Sequence, residues 1–281
     1  MIRRVLFTRR SFTCRFVHRR QTANPMNIVL KSILCLPLFS IMAADPQTNY
    51  IEFQSASERT ALLELYTSEG CSGCPPAERW LSGLQDSPRL WKDFAPVAFH
   101  VDYWNSLGWK DAWSDGEFSE RQRSYAALWR AENIYTPELV LNGKEWHTWF
   151  TGKDEPKSDG GQPGILTVKS PDATHWQVIY APENKSSNPY EIHAALLAGG
   201  IISEVKAGEN SGRQLQHDFA VVSLVQIGLT TSNGVARGRF IISQPKSVAG
   251  KNSALAVWVT CAGELEPLQT TGGWLVAPKM K

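Results

Sequence analysis

The sequence predicts an α/β segment followed by an all-β, sandwich-like segment. Three observations carry that expectation. An apolar run, Ala61 to Tyr66, stops at Ser68-Glu69-Gly70 and passes directly into Cys71-Ser72-Gly73-Cys74-Pro75-Pro76, the pattern of a strand turning into a helix. A second strand pattern and a second helix pattern follow before residue 143. Beyond the Gly- and Pro-containing stretch Asp159-Gly160-Gly161-Gln162-Pro163-Gly164, the chain changes to short β-branched or alternating runs with few helical segments. The resulting division is 1–44 leader, 45–59 lead-in, 60–150 α/β domain, 151–165 linker and 166–281 β-rich domain.

The first strand is expected over 60–66. The helix after it is expected over 75–84, where Ala77, Trp80, Leu81 and Leu84 share one face. Proline lacks an N–H, which is harmless only in a first helical turn. That places Pro75 and Pro76 at the helix start, Cys74 at the N-cap and Cys71 in the preceding loop. Phe94 to Tyr103 reads as the second strand. Ser114-Asp115-Gly116-Glu117 has capping-box spacing, and a helix from Glu117 to Ala131 would line up Phe118, Tyr125, Leu128 and Trp129. Thr136-Pro137 then leads into a third strand, 138–143, ending at Asn142-Gly143. Strand, helix, strand, helix, X-Pro, strand and hairpin turn is the order of a thioredoxin-like domain. There a cis proline precedes the third strand and packs beside the Cys-x-x-Cys loop; Thr136-Pro137 is the candidate. Strands are expected from Leu166, Trp176, Tyr190, Ile201, Phe219, Arg237 and Ala254, making a small β-sandwich. Residues 207–219 read as an ordered loop entering a strand.

The protein has 281 residues, 42% of them hydrophobic and 20% charged, the composition of a globular chain long enough to bury a large core. Its net charge of +2 is unevenly placed. Residues 1–44 hold seven arginines, Lys31 and no acid, which leaves 21 basic and 27 acidic residues in the remainder. An acidic body argues against nucleic-acid binding. From Met26 the leader has a short positive region, an apolar stretch Ile33 to Met42 and small residues at Ala43-Ala44, the layout of an export signal. The expected location is periplasmic or secreted, with no stable membrane span after leader removal. The Arg-rich, acid-free residues 1–25 support organelle targeting as the alternative.

Cleavage would remove Cys14 and Cys35 and leave Cys71, Cys74 and Cys261. One close pair plus one further cysteine is not a disulfide-stapled framework. Cys261 follows an apolar run and reads as a small buried residue. A Cys-x-x-Cys pair at a helix N-terminus favours a thiolate on its outer cysteine, because the helix dipole and free N–H groups stabilise negative charge. Cys71 is then the attacking thiol and Cys74 the resolving one. Glu69 opposes thiolate formation, and Ser72-Gly73 adds no positive charge. A static disulfide is one alternative. Zinc needs two further ligands at suitable spacing, and the histidines are scattered. Cu(I) suits two soft thiolates, with His100 as the third ligand candidate. Trp104, Trp109 and Trp113 either line a groove for a polypeptide or cover the helix and linker. Asp102 is a weak acid/base candidate. No cofactor is expected.

Several long motifs carry a family resemblance: residues 64–78 (Glu-Leu-Tyr-Thr-Ser-Glu-Gly-Cys-Ser-Gly-Cys-Pro-Pro-Ala-Glu), 100–111 (His-Val-Asp-Tyr-Trp-Asn-Ser-Leu-Gly-Trp-Lys-Asp), 121–125 (Arg-Gln-Arg-Ser-Tyr), 135–138 (Tyr-Thr-Pro-Glu) and 208–219 (Gly-Glu-Asn-Ser-Gly-Arg-Gln-Leu-Gln-His-Asp-Phe). Together they resemble the DUF1223 family of secreted proteins with a thioredoxin-like domain and no characterised function. Glu138 stands where that family more often has Gln. The resemblance implies Cys71 and Cys74 as a redox pair and Pro137 as the cis proline. The expected function is an exported thiol–disulfide oxidoreductase or redox-responsive protein, acting on protein thiols or disulfides, with Thr136-Pro137 as a backbone platform. The alternatives are a non-catalytic binding module with a structural disulfide and a Cu(I)-delivery protein.

Overall fold

A computed structural model describes residues 50–151, 155–184, 186–245 and 252–278. The leader expectation, 1–44, lies outside the described residues. β1 (Ile51–Gln54) opens the described chain, and β2 (Ala61–Thr67) follows, every residue of it buried. α1 (Cys74–Gly83), β3 (Phe94–His100) and α2 (Gly116–Trp129) come next, then the hairpin β4 (Glu138–Leu141) and β5 (Lys144–Glu145). The β-rich remainder runs β6 (Gly164–Ser170), β7 (His175–Pro182), β8 (Tyr190–Gly199), β9 (Ile201–Glu204) and β10 (Gln214–His217). It ends with β11 (Ala220–Gly228), β12 (Thr230–Ser232), β13 (Val235–Ile241), β14 (Asn252–Cys261) and β15 (Gln269–Val276).

The strand pairing corrects the expected fold class. The chain does not build an α/β thioredoxin-like domain followed by an all-β domain. One eight-stranded sheet runs β15-β14-β8-β11-β3-β2-β4-β5, so strands from both segments share a single ladder. The join is β11 beside β3, parallel, through Ala220 and Ala98. β2 is also parallel to β3, whereas β2–β4, β8–β11, β8–β14 and β14–β15 are antiparallel. A five-stranded antiparallel sheet, β1-β6-β7-β13-β12, stacks on one face of its C-terminal part. With two α-helices among the described residues, the architecture is mostly β.

The alternation of β8 and β14 explains how one sheet serves two cores. Ile192, Ala194 and Leu196 of β8, with Leu255, Val257 and Val259 of β14, face the five-stranded sheet and pack on Leu166, Val168, Trp176 and Val178. Ala195, Leu197, Ala254, Ala256 and Trp258 point to the opposite face, where they join β2, β3 and the helices. Both faces of these strands are covered, so over 194–198 and 254–259 the sequence is a continuous apolar run, and polar residues fall only towards the strand ends. Truncating Leu63 or Leu65 to Ala in this fully buried setting should cost about 2–5 kcal/mol.

Several local expectations shift by a residue or more. α1 starts at Cys74 with Gly73 as N-cap, one residue earlier than the prolines suggested, and both prolines stay in the first turn. α2 is capped by Asp115, whose Oδ1 accepts from the Glu117 N–H at 2.9 Å, and not by Ser114. Leu128, expected on the buried side, is exposed, and α2 instead buries Phe118, Ser119, Arg121, Gln122 and Tyr125. The lead-in contains β1, which pairs with β6, and the expected 207–219 loop contains β10, which pairs with β9 and packs against α1. β12 and β15 carry polar and glycine residues and have no apolar alternation that marks them as strands.

Candidate functional site

The parallel strands β2 and β3 end together at Thr67 and His100. Beyond β2 the chain turns through Ser68 to Gly73 into α1, which places Cys71 in the turn and Cys74 in the first helical turn. The Cys71 N–H donates to the Ser68 carbonyl at 3.1 Å and the Cys74 N–H to the Cys71 carbonyl at 3.2 Å. Both thiols are free and buried, Cys71 2% exposed and Cys74 fully enclosed. Their neighbours Ser72 and Gly73 are exposed.

The Thr136–Pro137 bond is cis, as the residue order led us to expect. The Cys71 thiol donates to the Thr136 carbonyl at 3.6 Å, and Trp104 Nε1 donates to the Thr136 hydroxyl at 2.8 Å. Cys71, Cys74, Thr136 and Pro137 are therefore one constellation, with Pro137 Cδ 3.7 Å from where a Gly73 Cβ would sit. The two thiols differ sharply. The hydrogen bond from Cys74 is the largest influence on Cys71; against its own burial, and with Thr136 assisting, it brings that thiol down to about 7. Cys74 is driven far up, first by burial and then by Cys71. Glu69 does not stand against the thiol as its sequence position suggested. Its carboxylate is engaged by His217 Nε2 at 3.1 Å and Trp109 Nε1 at 2.6 Å.

Behind the pair lies a buried polar cluster that sequence reasoning largely missed. His100 Nδ1 meets Asp111 Oδ2 at 2.7 Å, and the same Asp111 oxygen accepts from the Glu69 N–H at 2.9 Å. His217, at the end of β10, lies between two carboxylates: Glu78 Oε2 at 2.5 Å from Nδ1 and Glu69 Oε1 from Nε2. The Thr67 hydroxyl donates to the other Glu78 oxygen at 2.5 Å. The two imidazoles meet edge to face, centroids 4.9 Å apart. Burial alone would lower His217; the Glu69 and Glu78 carboxylates overcome it and raise the ring to about 10. His100 is raised for the same reason, with Asp111 outweighing burial, and Asp111 is held low by His100 against its own burial. Glu69 is likewise held low by His217 despite burial.

The segment 207–213 clamps this turn from outside. Asn210 Nδ2 donates to the carbonyls of Glu69 and Cys71, each at 2.9 Å, and Arg213 Nη1 holds Asn210 Oδ1. The Ser72 N–H donates to Glu209 Oε2 at 3.0 Å. One signal for Glu78 was readable: it lies four residues after Cys74, on the same helix face. Nothing local marks His217 or Asn210, which arrive from more than 130 residues away. Asp102, the acid/base candidate, is tied to α2: its Oδ1 accepts from the Ser119 hydroxyl at 2.5 Å and its N–H donates back to the Ser119 Oγ at 3.0 Å. The tryptophans act in the fold, Trp104 on Thr136 and Trp109 on Glu69, while Trp113 packs on a small apolar cluster. His100 converges with Glu78 and His217, and among the described residues no ligand group joins it to the two cysteines. Cys261 is buried on β14 in the second core, apart from the site.

The family whose description is a protein of unknown function, DUF1223, matches residues 62–260, a span that takes in every residue of this site. The chain belongs to the DUF1223 family. Among solved structures, this DUF1223 chain is similar to protein AGR_C_4864 from Agrobacterium tumefaciens, with a TM-score of 0.53 and 21% identity over 80% of this chain and 98% of that one. That likeness concerns the fold alone. HBP35 of Porphyromonas gingivalis aligns at a TM-score of 0.47 and 12% identity, over 81% of this chain and 79% of that one. Among curated proteins nothing matches.

Proposed function

We propose that this DUF1223 protein is an exported thiol–disulfide exchange protein, with Cys71 as the attacking thiol and Cys74 as the resolving thiol. The observation that carries the reading is the asymmetry of the pair: Cys71 is brought down to about 7 while Cys74 is pushed far up. A nucleophile whose pKa lies near ambient pH combines thiolate content with reactivity. The Thr136 carbonyl beside Cys71 Sγ, with Pro137 next to it, supplies backbone for positioning a substrate strand. The leader composition supports export.

The Cys71 thiolate attacks one sulfur of a substrate disulfide; a mixed disulfide forms and the substrate S–S bond breaks. The departing substrate thiolate takes the Cys74 proton. The Cys74 thiolate then attacks Cys71 Sγ, closing the 71–74 disulfide and releasing the second substrate thiolate. Two electrons pass to the substrate, and the reverse sequence oxidises a substrate dithiol.

The 2% exposure of Cys71 favours a second reading, a binding module whose cysteine pair is structural. The reduction potential of the pair, measured together with Cys71 accessibility, separates the two. An intermediate potential with a reactive Cys71 supports exchange; a very low potential with no accessible thiol supports structure. Cys71→Ser should abolish exchange and Cys74→Ser should trap mixed disulfides with partners. Failure of the wild-type protein to exchange with any disulfide across a range of redox buffers would overturn the reading.

A further inference from the structure

We propose that Glu78, His100 and His217 form a binding site for one divalent transition-metal ion of the zinc class, distinct from the Cys71–Cys74 pair. One potential ligand atom from each lies within 4.8 Å of the others, and all three residues are buried. The site stands independently of thiol exchange, because neither cysteine is among its ligands.

The support behind each ligand carries the argument. Metal-bound imidazoles characteristically have their other nitrogen held by a carboxylate, which fixes tautomer and ring direction. Here Asp111 Oδ2 holds His100 Nδ1 at 2.7 Å and Glu69 Oε1 holds His217 Nε2 at 3.1 Å. Thr67 holds Glu78 Oε1. His100 Nε2, His217 Nδ1 and Glu78 Oε2 are the atoms left to share an ion. His217 Nδ1 and Glu78 Oε2 are 2.5 Å apart, a separation for a shared proton. Zinc bonds of about 2.0–2.2 Å require these two atoms to part modestly as that proton leaves. Asp111 and Glu69 are themselves anchored, Asp111 by the Glu69 and Trp113 N–H groups and Glu69 by Trp109 Nε1, so the outer frame is held on several sides.

Charge and donor type narrow the occupant. The cluster contains three carboxylates, Glu69, Glu78 and Asp111, and two imidazoles. Three carboxylates converging on one buried pocket favour a cation there over an anion or a neutral ligand. Two imidazole nitrogens and one carboxylate oxygen are borderline donors, suited to Zn²⁺ or Co²⁺. Ca²⁺ and Mg²⁺ prefer all-oxygen sets, and Cu(I) prefers thiolates. Three protein ligands leave a position open for water.

The test uses the full chain, stripped with a chelator and titrated with Co²⁺ and Zn²⁺. One ion should bind per chain, with Co²⁺ giving visible d–d bands and no thiolate charge-transfer band. The double variant Cys71→Ser/Cys74→Ser should bind equally well. Glu78→Gln should weaken binding by at least about 100-fold, and Asp111→Asn, acting through His100, by about 10–100-fold. No binding by the wild type overturns the site. So does binding that shows a thiolate band and disappears in the double serine variant, or an affinity untouched by Glu78→Gln. Should Glu78→Gln fail to fold, the wild-type Co²⁺ spectrum and the double serine variant decide the matter. Disulfide exchange measured on the stripped protein tests the other reading separately.

Discussion

Two buried charge clusters sit along β2, and they are built from different cations. At mid-strand, Glu64 is fully buried and surrounded by three donors: Arg121 Nε at 2.7 Å, Tyr125 Oη at 2.6 Å and Tyr66 Oη at 3.1 Å. The Arg121 guanidinium also lies over the rings of Phe99, Tyr125 and Trp258, at 5.3–5.7 Å from their centroids. At the strand end, Glu69, Glu78 and Asp111 meet His100 and His217 instead. A guanidinium stays charged at any accessible pH, so the first cluster is closed and structural. Imidazoles exchange protons and bind metals, so the second can change state. Similar burial thus yields a fixed brace in one place and a convertible site in the other. The convertible one adjoins the thiols.

The comparison is broken most directly by Arg121→Met. It leaves Glu64 buried without its cation and should cost about 3–5 kcal/mol in chemical denaturation, the usual consequence of halving a buried ion pair. Cys71 reactivity in the folded fraction should be unchanged; an equal loss of Cys71 reactivity would show that the two clusters are one unit.

Glu138 is the intermediate case, a buried carboxylate whose partner is the Gln122 amide. Burial first, then Glu145 and Glu64, raise it to about 7 in the fold despite the Gln122 hydrogen bond. A carboxyl with a raised folded pKa is protonated in the fold before it is in the unfolded chain. Its ionisation therefore removes stability as pH rises from about 4.5 through about 7. Glu138→Gln should be near neutral at pH 4 and stabilising above pH 7, by at most about 3 kcal/mol. Denaturation curves at both pH values check the sign, and a stabilisation confined to acid pH would contradict it.

Smaller effects concern the thiols. Alkylation of Cys71 should rise with a midpoint near pH 7, well below that of an ordinary cysteine, as its thiolate forms; a midpoint above pH 8.5 would remove the asymmetry on which the exchange reading rests. Gly73→Ala should fold normally, since Gly73 has φ −81° and an added Cβ meets only ordinary contacts. That methyl would stand 3.9 Å from Cys71 Sγ and 3.7 Å from Pro137 Cδ, narrowing the approach to the thiol, so alkylation should slow several-fold with its pH midpoint unchanged.

Much of the site was legible because its chemistry is local. Cys71, Cys74 and the prolines mark a strand-to-helix turn by themselves, and Thr136-Pro137 follows from element order. Glu78 was within reach through its four-residue spacing from Cys74. Leu128 was misplaced because periodicity counts apolar residues, whereas α2 buries Arg121 and Gln122 against Glu64 and Glu138. A buried carboxylate on a neighbouring strand can make a charged helix face the inner one, and no window along α2 contains that strand.

The amino-acid sequence by itself determined the thiol pair, its helix-start setting and the positions of most strands, because turn residues, prolines and side-chain period act over a few residues. Only the tertiary structure decided that the strands of both segments form one sheet. A ladder hydrogen bond specifies a partner without leaving a trace in either strand's period, and β3 and β11 meet through one alanine pair. Contacts of the same long range bring Asn210 to the Cys71 carbonyl and His217 to Glu69 and Glu78 on either side of the thiol pair. They set a carboxylate–imidazole cluster behind the thiols, where the local pattern showed only a loop.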